Sequence, residues 1–162
     1  PYINRKMNMN KKKWESYYIF CFVRNPYDRI ISAWNHINRF NIPFKHFLNL
    51  KNTCNDVEFM HMFMPQHRSM INEKGKTNIN FIGKFENINE DFKRVLKNIG
   101  IKKILHNTND KLNVRKHKPF YEYYQDDETL KKVNSLMDED FKHLEYEKIE
   151  DITLFKNKFN SN

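Results

Sequence analysis

The chain has 162 residues, enough for one domain with a substantial core, and we predict that residues 1–162 form a single domain. Its net charge is +9 and aromatic residues make up 15% of it, which excludes a disordered tail and favours an anionic partner. No apolar run approaches the roughly 18 residues of a membrane span, and the two cysteines make neither a disulfide framework nor a metal motif.

The first predicted elements are a strand and a helix that follow each other directly. Residues 1–13 are polar and basic, which predicts an entry loop. Residues 17–23 form a short apolar and aromatic run, typical of a strand that is buried on both faces of a parallel sheet. Asn25 suits the N-cap and Pro26 the first helical position, so a helix is predicted over about 26–40.

This helix has an apolar face and an opposite polar face, and the polar face is either a ligand-binding or a solvated surface. A helix that begins where a strand ends directs backbone N–H groups and its positive dipole end into a crevice at the sheet edge. Arg24 at that junction offers a bidentate fork for phosphate, and Ser32 adds a hydroxyl donor. The apolar face comprises Tyr27, Ile30, Ile31, Trp34 and Ile37, and the polar face comprises Arg29, Ser32, His36 and Arg39.

Strand and helix signals continue to alternate along the rest of the chain, which indicates an α/β layer fold. In chain order we predict a short helix from Pro43, an aromatic and methionine-rich stretch over 59–70, a strand over 79–85, a helix capped by Asn87 or Asn89 that ends at Gly100, a loop over 107–118, and a helix from Asp126 or Asp127 that extends towards Phe141.

The segment from Arg24 to Ser32 resembles the Arg-Asp-Pro motif of sulfotransferases that use 3′-phosphoadenosine 5′-phosphosulfate (PAPS), in particular the carbohydrate (Golgi-type) branch and its bacterial and viral relatives. Asn25 stands where that motif usually has Asp, and either residue can cap a helix. Residues 81–88, then Asp91 and residues 96–101, are similar to the second strand and helix of the same family, and residues 118–146 are similar to its C-terminal end. Residues 61–66 are similar to its His-x-x-Pro-Gln element with one extra residue.

The resemblance implies an activity, a fold and a set of site residues. The activity is transfer of a sulfuryl group from PAPS to an acceptor hydroxyl, by family default on a carbohydrate, without a metal or a nucleic-acid partner. The fold is a P-loop-NTPase-like three-layer α/β fold with a parallel sheet flanked by helices. Arg24 and Ser32 would bind the 3′-phosphate of the donor, and a basic loop with Arg115, Lys116 and Lys118 would close near the nucleotide.

One element of the family has no counterpart in this sequence. The first strand and its phosphate loop precede the Arg-Asp-Pro motif, and residues 1–16 do not resemble them. Gly75-Lys76-Thr77 mimics the end of a Walker loop, but the required earlier glycine would fall at Met70. We therefore expect an N-terminally incomplete domain, with the groups that act on the sulfate upstream of Pro1. Such a protein would be cytoplasmic in a bacterium or virus, or Golgi-lumenal if an upstream segment anchors it to the membrane.

The catalytic base is not identified by the sequence. His36, His61 and His67 are candidates by residue type, although a surface or core role is the more common one for a histidine. Two alternatives to a complete enzyme remain: a basic nucleic-acid-binding module, which the charge and aromatic content allow, and a non-catalytic remnant that keeps the fold and its nucleotide affinity.

Overall fold

The computed structural model describes residues 16–37, 41–52, 61–71, 77–102 and 118–160. The chain divides into two units, Pro1–Val23 with Gln66–Asp110 and Arg24–Pro65 with Lys111–Asn162. The described strands and α-helices are β1 (Phe20–Val23), α1 (Pro26–Ile37), α2 (Phe44–Asn49), β2 (Phe81–Lys84), α3 (Ile88–Asn98), α4 (Asp127–Leu136), α5 (Asp138–His143) and α6 (Ile152–Asn160). Short 3-10 helices span Leu50–Asn52, Gln66–Ser69, Phe85–Asn87 and Phe120–Tyr123.

The first unit contains a small parallel sheet made of β1 and β2. Phe20 pairs with Phe81 and Val23 with Lys84, so the two strands run in register in the same direction. Both strands were predicted, and both are shorter than predicted, at four residues each. Helices lie between the two strands in the sequence, as a parallel connection requires. The chain is therefore a mixed α/β protein.

Helix α3 covers one face of this sheet. The ring of Phe92 lies 6.2 Å from the rings of Phe20 and Phe22, measured between centroids. Gly83 allows this packing, because a Cβ there would come within 2.5 Å of the Phe22 ring. The carboxylate of Asp91 accepts a 2.7 Å hydrogen bond from the backbone N–H of Lys84, which ties α3 to the end of β2.

Burial of residues 17–23 on both faces was expected and is wrong for the first half of this run. Tyr17 and Phe20 are exposed by 43% and 38%, whereas Val23 is buried. The physical reason is that the sheet, in the part of the chain that the structure describes, has two strands, so each has one hydrogen-bonded neighbour. Cys21 is half-buried, and burial raises the pKa of its thiol, as suits a small apolar residue.

The ends of α3 follow the predicted signals in part. Gly100 has a φ of +76°, the left-handed conformation that favours glycine after a helix, so the predicted end is confirmed. Asn87 occupies the N-cap position without a side-chain capping bond. The capping side chain predicted by the sequence is therefore in place but does not bond the first turn.

The second unit encloses an aromatic core. The buried ring of Tyr27 packs against Tyr124, Phe141 and Phe155, with centroid distances of 5.6, 4.8 and 4.9 Å. The predicted apolar face of α1 is confirmed, because it supplies much of this core. The buried members are Tyr27, Ile30, Ile31, Trp34, Phe44, Phe47, Leu48, Phe63, Tyr124, Leu130, Val133, Met137, Phe141, Ile149 and Phe155.

The helix boundaries of this unit agree closely with the sequence signals. Helix α1 is described as far as Ile37, and residues 38–40 lie outside the described part. Pro43 precedes α2 at the N-cap position rather than as its first helical residue. Asp126 caps α4 by accepting a 2.7 Å hydrogen bond from the N–H of Thr129. The predicted extension towards Phe141 exists as a separate helix, α5, because the helix breaks at Met137.

Among the helices that can be described, none combines the length and apolar composition needed to cross a lipid bilayer.

Candidate functional site

Helix α1 begins with the cap that the sequence predicts. The side-chain oxygen of Asn25 accepts a 3.0 Å hydrogen bond from the N–H of Tyr27, and its backbone carbonyl accepts a 2.8 Å bond from the N–H of Arg29. Pro26 is the first helical residue. Because Asn25 is uncharged, the positive end of the helix dipole is not neutralised by the cap itself.

Arg24, the residue before this cap, folds back onto the first turn of α1. Its Nε donates a 2.6 Å hydrogen bond to Oδ2 of Asp28, four residues later. Both side chains are largely shielded from solvent, with 26% and 18% of their surfaces exposed. The bond uses one of the five N–H donors of the guanidinium, and the other four lie on its two Nη atoms.

Ser32 lies on the same face of α1 as Asp28. The two residues are four positions apart, one turn along the helix, which corresponds to about 6 Å along its axis. Ser32 is half-buried. Because Asp28 holds the guanidinium of Arg24 against this face, the predicted pair Arg24 and Ser32 shares one surface of the helix. A guanidinium, a hydroxyl and a helix N-terminus together suit a tetrahedral anion.

Arg29 was predicted to lie on the polar face, and the structure places it against the core instead. Its Nη2 donates a 2.8 Å hydrogen bond to the carbonyl of Met64, and its Nη1 lies 4.0 Å from the fully buried carboxylate of Asp140. Burial lowers the pKa of Arg29, and the charge of Asp140 opposes that shift. Arg29 is turned inwards because a buried carboxylate requires a compensating cation. It is therefore a structural residue of the second unit.

A buried hydrogen-bond network anchors the start of α1 to the C-terminal part of the chain. The hydroxyl of Tyr27 donates to Oδ1 of Asn134 at 2.7 Å and accepts from the N–H of Ile149 at 2.9 Å. Asn134 donates to the carbonyl of Ile149 at 2.8 Å, and the hydroxyl of Tyr124 donates to the carbonyl of Tyr27 at 2.9 Å. We call these four residues the Tyr27 network. It holds the turn that carries the candidate site.

The second predicted basic cluster is described only at its last residue. Lys118 is exposed, and its Nζ lies 3.8 Å from a carboxylate oxygen of Glu122. Arg115 and Lys116 lie outside the described residues. Glu122 also lines an open surface pocket of about 330 Å³. Neither Arg24 nor Ser32 lines this pocket.

The three candidate bases have different surroundings. His36 is exposed in the last turn of α1, four residues after Ser32 and on the same face. His61 is also exposed, whereas His67 is buried in the 3-10 helix Gln66–Ser69 of the first unit. Of the Walker-like tripeptide, Gly75 and Lys76 lie outside the described residues.

The pairing of Asp28 with Arg24 was not predicted, although the sequence contains a signal for it. An acid four residues from an Arg across the start of a helix is the spacing at which side chains of opposite charge meet. The inward orientation of Arg29 and the Tyr27 network carry no such local signal, because their partners lie far away in the sequence.

Comparison with known proteins gives two matches. The sequence model of the sulfotransferase family matches residues 2–147 of this chain. An uncharacterized protein of the archaeon Archaeoglobus fulgidus is 31% identical over 97 residues, which cover 57% of this chain and 76% of that protein. No solved structure matches the chain significantly.

Proposed function

The chain belongs to the sulfotransferase family, and from this membership we propose that it binds PAPS as the donor of a sulfuryl group. Membership supports its assignment as a transferase of sulfur-containing groups.

The observation that carries the proposal is the position of the Arg24 guanidinium. Its bond to Asp28 places it on the face of α1 that carries Ser32, beside the positive end of the helix dipole. A guanidinium fork and a hydroxyl donor complement the oxygens of a phosphate. We assign the 3′-phosphate of the donor to this position, since family resemblance gives Arg24 and Ser32 that role.

The rest of the nucleotide site is proposed on resemblance. Arg115, Lys116 and Lys118 would lie near the bound nucleotide, in a P-loop-like three-layer fold to which the parallel pair β1 and β2 would contribute. The acceptor would be a hydroxyl group, by family default on a glycan. The net charge of +9 favours an anionic donor and an acidic acceptor alike.

The proposed reaction is an in-line transfer that needs no redox partner. The acceptor oxygen attacks the sulfur atom, and the bond from sulfur to the bridging oxygen of the phosphosulfate breaks. The products are the sulfated acceptor and 3′,5′-adenosine diphosphate, and the hydroxyl proton passes to a base. In such a reaction positioning and charge stabilisation supply most of the rate enhancement. Arg24 and Ser32 contribute by fixing the end of the donor that is distant from the sulfate.

Calorimetric titration with 3′,5′-adenosine diphosphate tests this proposal. We expect binding by the wild-type chain, and much weaker binding of 5′-adenosine monophosphate, which lacks the 3′-phosphate. Loss of a charged hydrogen-bonding partner is worth about 2 kcal/mol, so Arg24→Ala should weaken binding roughly 30-fold. Ser32→Ala removes a neutral donor and should weaken it about 5-fold.

Arg94→Ala is the matched control, because it removes the same charge from an exposed position on α3. Equal affinity for the two nucleotides, or wild-type affinity in Arg24→Ala, would contradict the proposal. Salt-sensitive DNA binding without nucleotide affinity would favour the nucleic-acid module instead. Nucleotide binding without sulfuryl transfer to any hydroxyl acceptor would favour the non-catalytic remnant.

A further inference from the structure

The acidic side chain of Asp28 accepts a hydrogen bond from Nε of the predicted phosphate ligand Arg24. We propose that Asp28 is a positioning residue: it orients the Arg24 guanidinium over the Ser32 face of α1 and thereby creates selectivity for the 3′-phosphate. The inference rests on the proposed function, because it concerns how that phosphate site is built. It adds a residue to which the family resemblance gave no role.

The geometry of the bond supports orientation as its main effect. Arg has a long side chain, and ordering such a side chain costs up to about 2 kcal/mol of conformational free energy. A 2.6 Å bond from Nε to Asp28 restricts the guanidinium before any ligand arrives. The described bond engages Nε, and a second edge of the guanidinium is formed by the two Nη atoms. That edge carries the parallel donors of a bidentate phosphate contact.

A role as helix cap does not account for Asp28. Asn25 already accepts the hydrogen bond from the N–H of Tyr27 and closes the first turn through its own carbonyl. Both members of the pair are also more shielded than surface ion pairs generally are, with exposures of 26% and 18%. Shielding reduces screening by salt, so the bond stays effective under physiological conditions.

Asp28 has two opposite effects on phosphate affinity. Its negative charge weakens binding, whereas its orientation of Arg24 strengthens it. A carboxylate beside a phosphate repels it, so on charge alone the removal of Asp28 would tighten anion binding. If orientation dominates, the same removal weakens binding. The sign of the change therefore distinguishes a positioning residue from a neighbouring charge.

The experiment compares 3′,5′-adenosine diphosphate with 5′-adenosine monophosphate by calorimetry on Asp28→Ala and Asp28→Asn. Asp28→Ala should bind the diphosphate roughly 10-fold more weakly, a smaller loss than in Arg24→Ala because the guanidinium is still present but no longer oriented. It should bind the monophosphate unchanged, because that ligand makes no 3′-phosphate contact. Asp28→Asn keeps an oxygen acceptor for Nε and removes the repelling charge, so it should retain or exceed wild-type affinity for the diphosphate.

A purely structural role would weaken both nucleotides together and leave their ratio unchanged, which would overturn the inference. Diphosphate binding by Asp28→Ala that equals or exceeds wild type would also overturn it. Glu90→Ala is the matched control, since it removes an exposed acid from α3 and should leave the ratio at its wild-type value. A wild-type chain that shows no preference for the 3′-phosphate would instead refute the proposed function, and the inference with it.

Arg24→Lys supplies a second measurement that does not require Asp28→Ala to fold. Lysine keeps the positive charge but has no Nε donor and no planar fork. We expect roughly 10-fold weaker binding of the diphosphate and unchanged binding of the monophosphate. Wild-type affinity in Arg24→Lys would show that charge suffices and would overturn the inference.

Discussion

Arg24 lies just before α1 and Arg29 lies in its first turn, and the two guanidinium groups have different surroundings. Arg24 lies beside Asp28 on the outer face of the first turn, whereas Arg29 reaches a core carboxylate and a core carbonyl. The sequence predicted Arg24 at the junction before α1 and Arg29 within it, but not the direction of either guanidinium. The direction of the Arg29 guanidinium depends on Asp140, which lies far along the chain. No local sequence signal pairs these two residues.

Loss of the Arg29 side chain should destabilise the second unit. Arg29→Ala leaves the buried carboxylate of Asp140 without its guanidinium neighbour, so the free energy of unfolding should fall by about 3 kcal/mol. Urea denaturation followed by circular dichroism measures the change. Glu139→Ala, next to Asp140 but exposed on α5, should change stability by no more than about 0.5 kcal/mol. Similar losses in the two variants would contradict the structural role of Arg29.

At the scale of elements, local sequence signals predicted whether a segment is a helix or a strand. The length of a strand depends instead on contacts with distant parts of the chain. Asn25-Pro26, Asp126 and Gly100 each mark a helix end by chemistry that acts within one turn, and the structure agrees with all three. The strand over 17–23 is shorter than its apolar run because strand length depends on hydrogen-bonded neighbours, which the run itself cannot specify.

The cap of α4 offers a test of this local chemistry. Asp126→Ala removes the acceptor for the N–H of Thr129 and should lower the free energy of unfolding by about 1 kcal/mol. Asp126→Ser keeps an acceptor oxygen and should lose far less. The hydrogen bond from Thr129 lowers the pKa of Asp126, so its stabilising effect is present at neutral pH and decreases as the pH falls through its lowered pKa. Equal losses in the alanine and serine variants at neutral pH would show that the charge, rather than the cap, is responsible.

At the scale of the whole molecule, the sequence predicted the class of the fold and the location of one candidate site. It did not predict the Tyr27 network, because Tyr27, Asn134 and Ile149 meet only after α1 and α4 have packed. A tyrosine in an apolar helix stripe looks like any other core residue. Its hydroxyl becomes informative only when the partners at its tip are known.

The Tyr27 network should make the fold sensitive to alkali. Burial raises the pKa of Tyr27 from 10.0 to about 12, and burial also raises the pKa of Tyr124 well above its ordinary value. Above pH 10 the unfolded chain therefore holds fewer protons than the folded chain, and stability falls as the pH rises towards 12. In an alkaline titration, the tyrosinate absorbance of Tyr27 and Tyr124 should appear over the same pH range as the unfolding measured by circular dichroism.

Tyr27→Phe provides the control for this prediction. It should lower stability at neutral pH by about 2 kcal/mol, since Asn134 and Ile149 lose a buried partner. It should also make the dependence of stability on alkaline pH less steep. An equally steep dependence in this variant would assign the effect to other tyrosines.

The central claim is that a nucleotide with a 3′-phosphate binds at the start of α1. Chemical-shift mapping of the isotope-labelled protein during titration with 3′,5′-adenosine diphosphate tests it most directly. We predict that the largest shifts occur at the backbone amides of Asn25, Tyr27, Asp28 and Ser32 and at the Nε–H group of Arg24. The claim would be contradicted if the signals of these groups did not change, or if the largest changes occurred at Phe120–Tyr123 and α6.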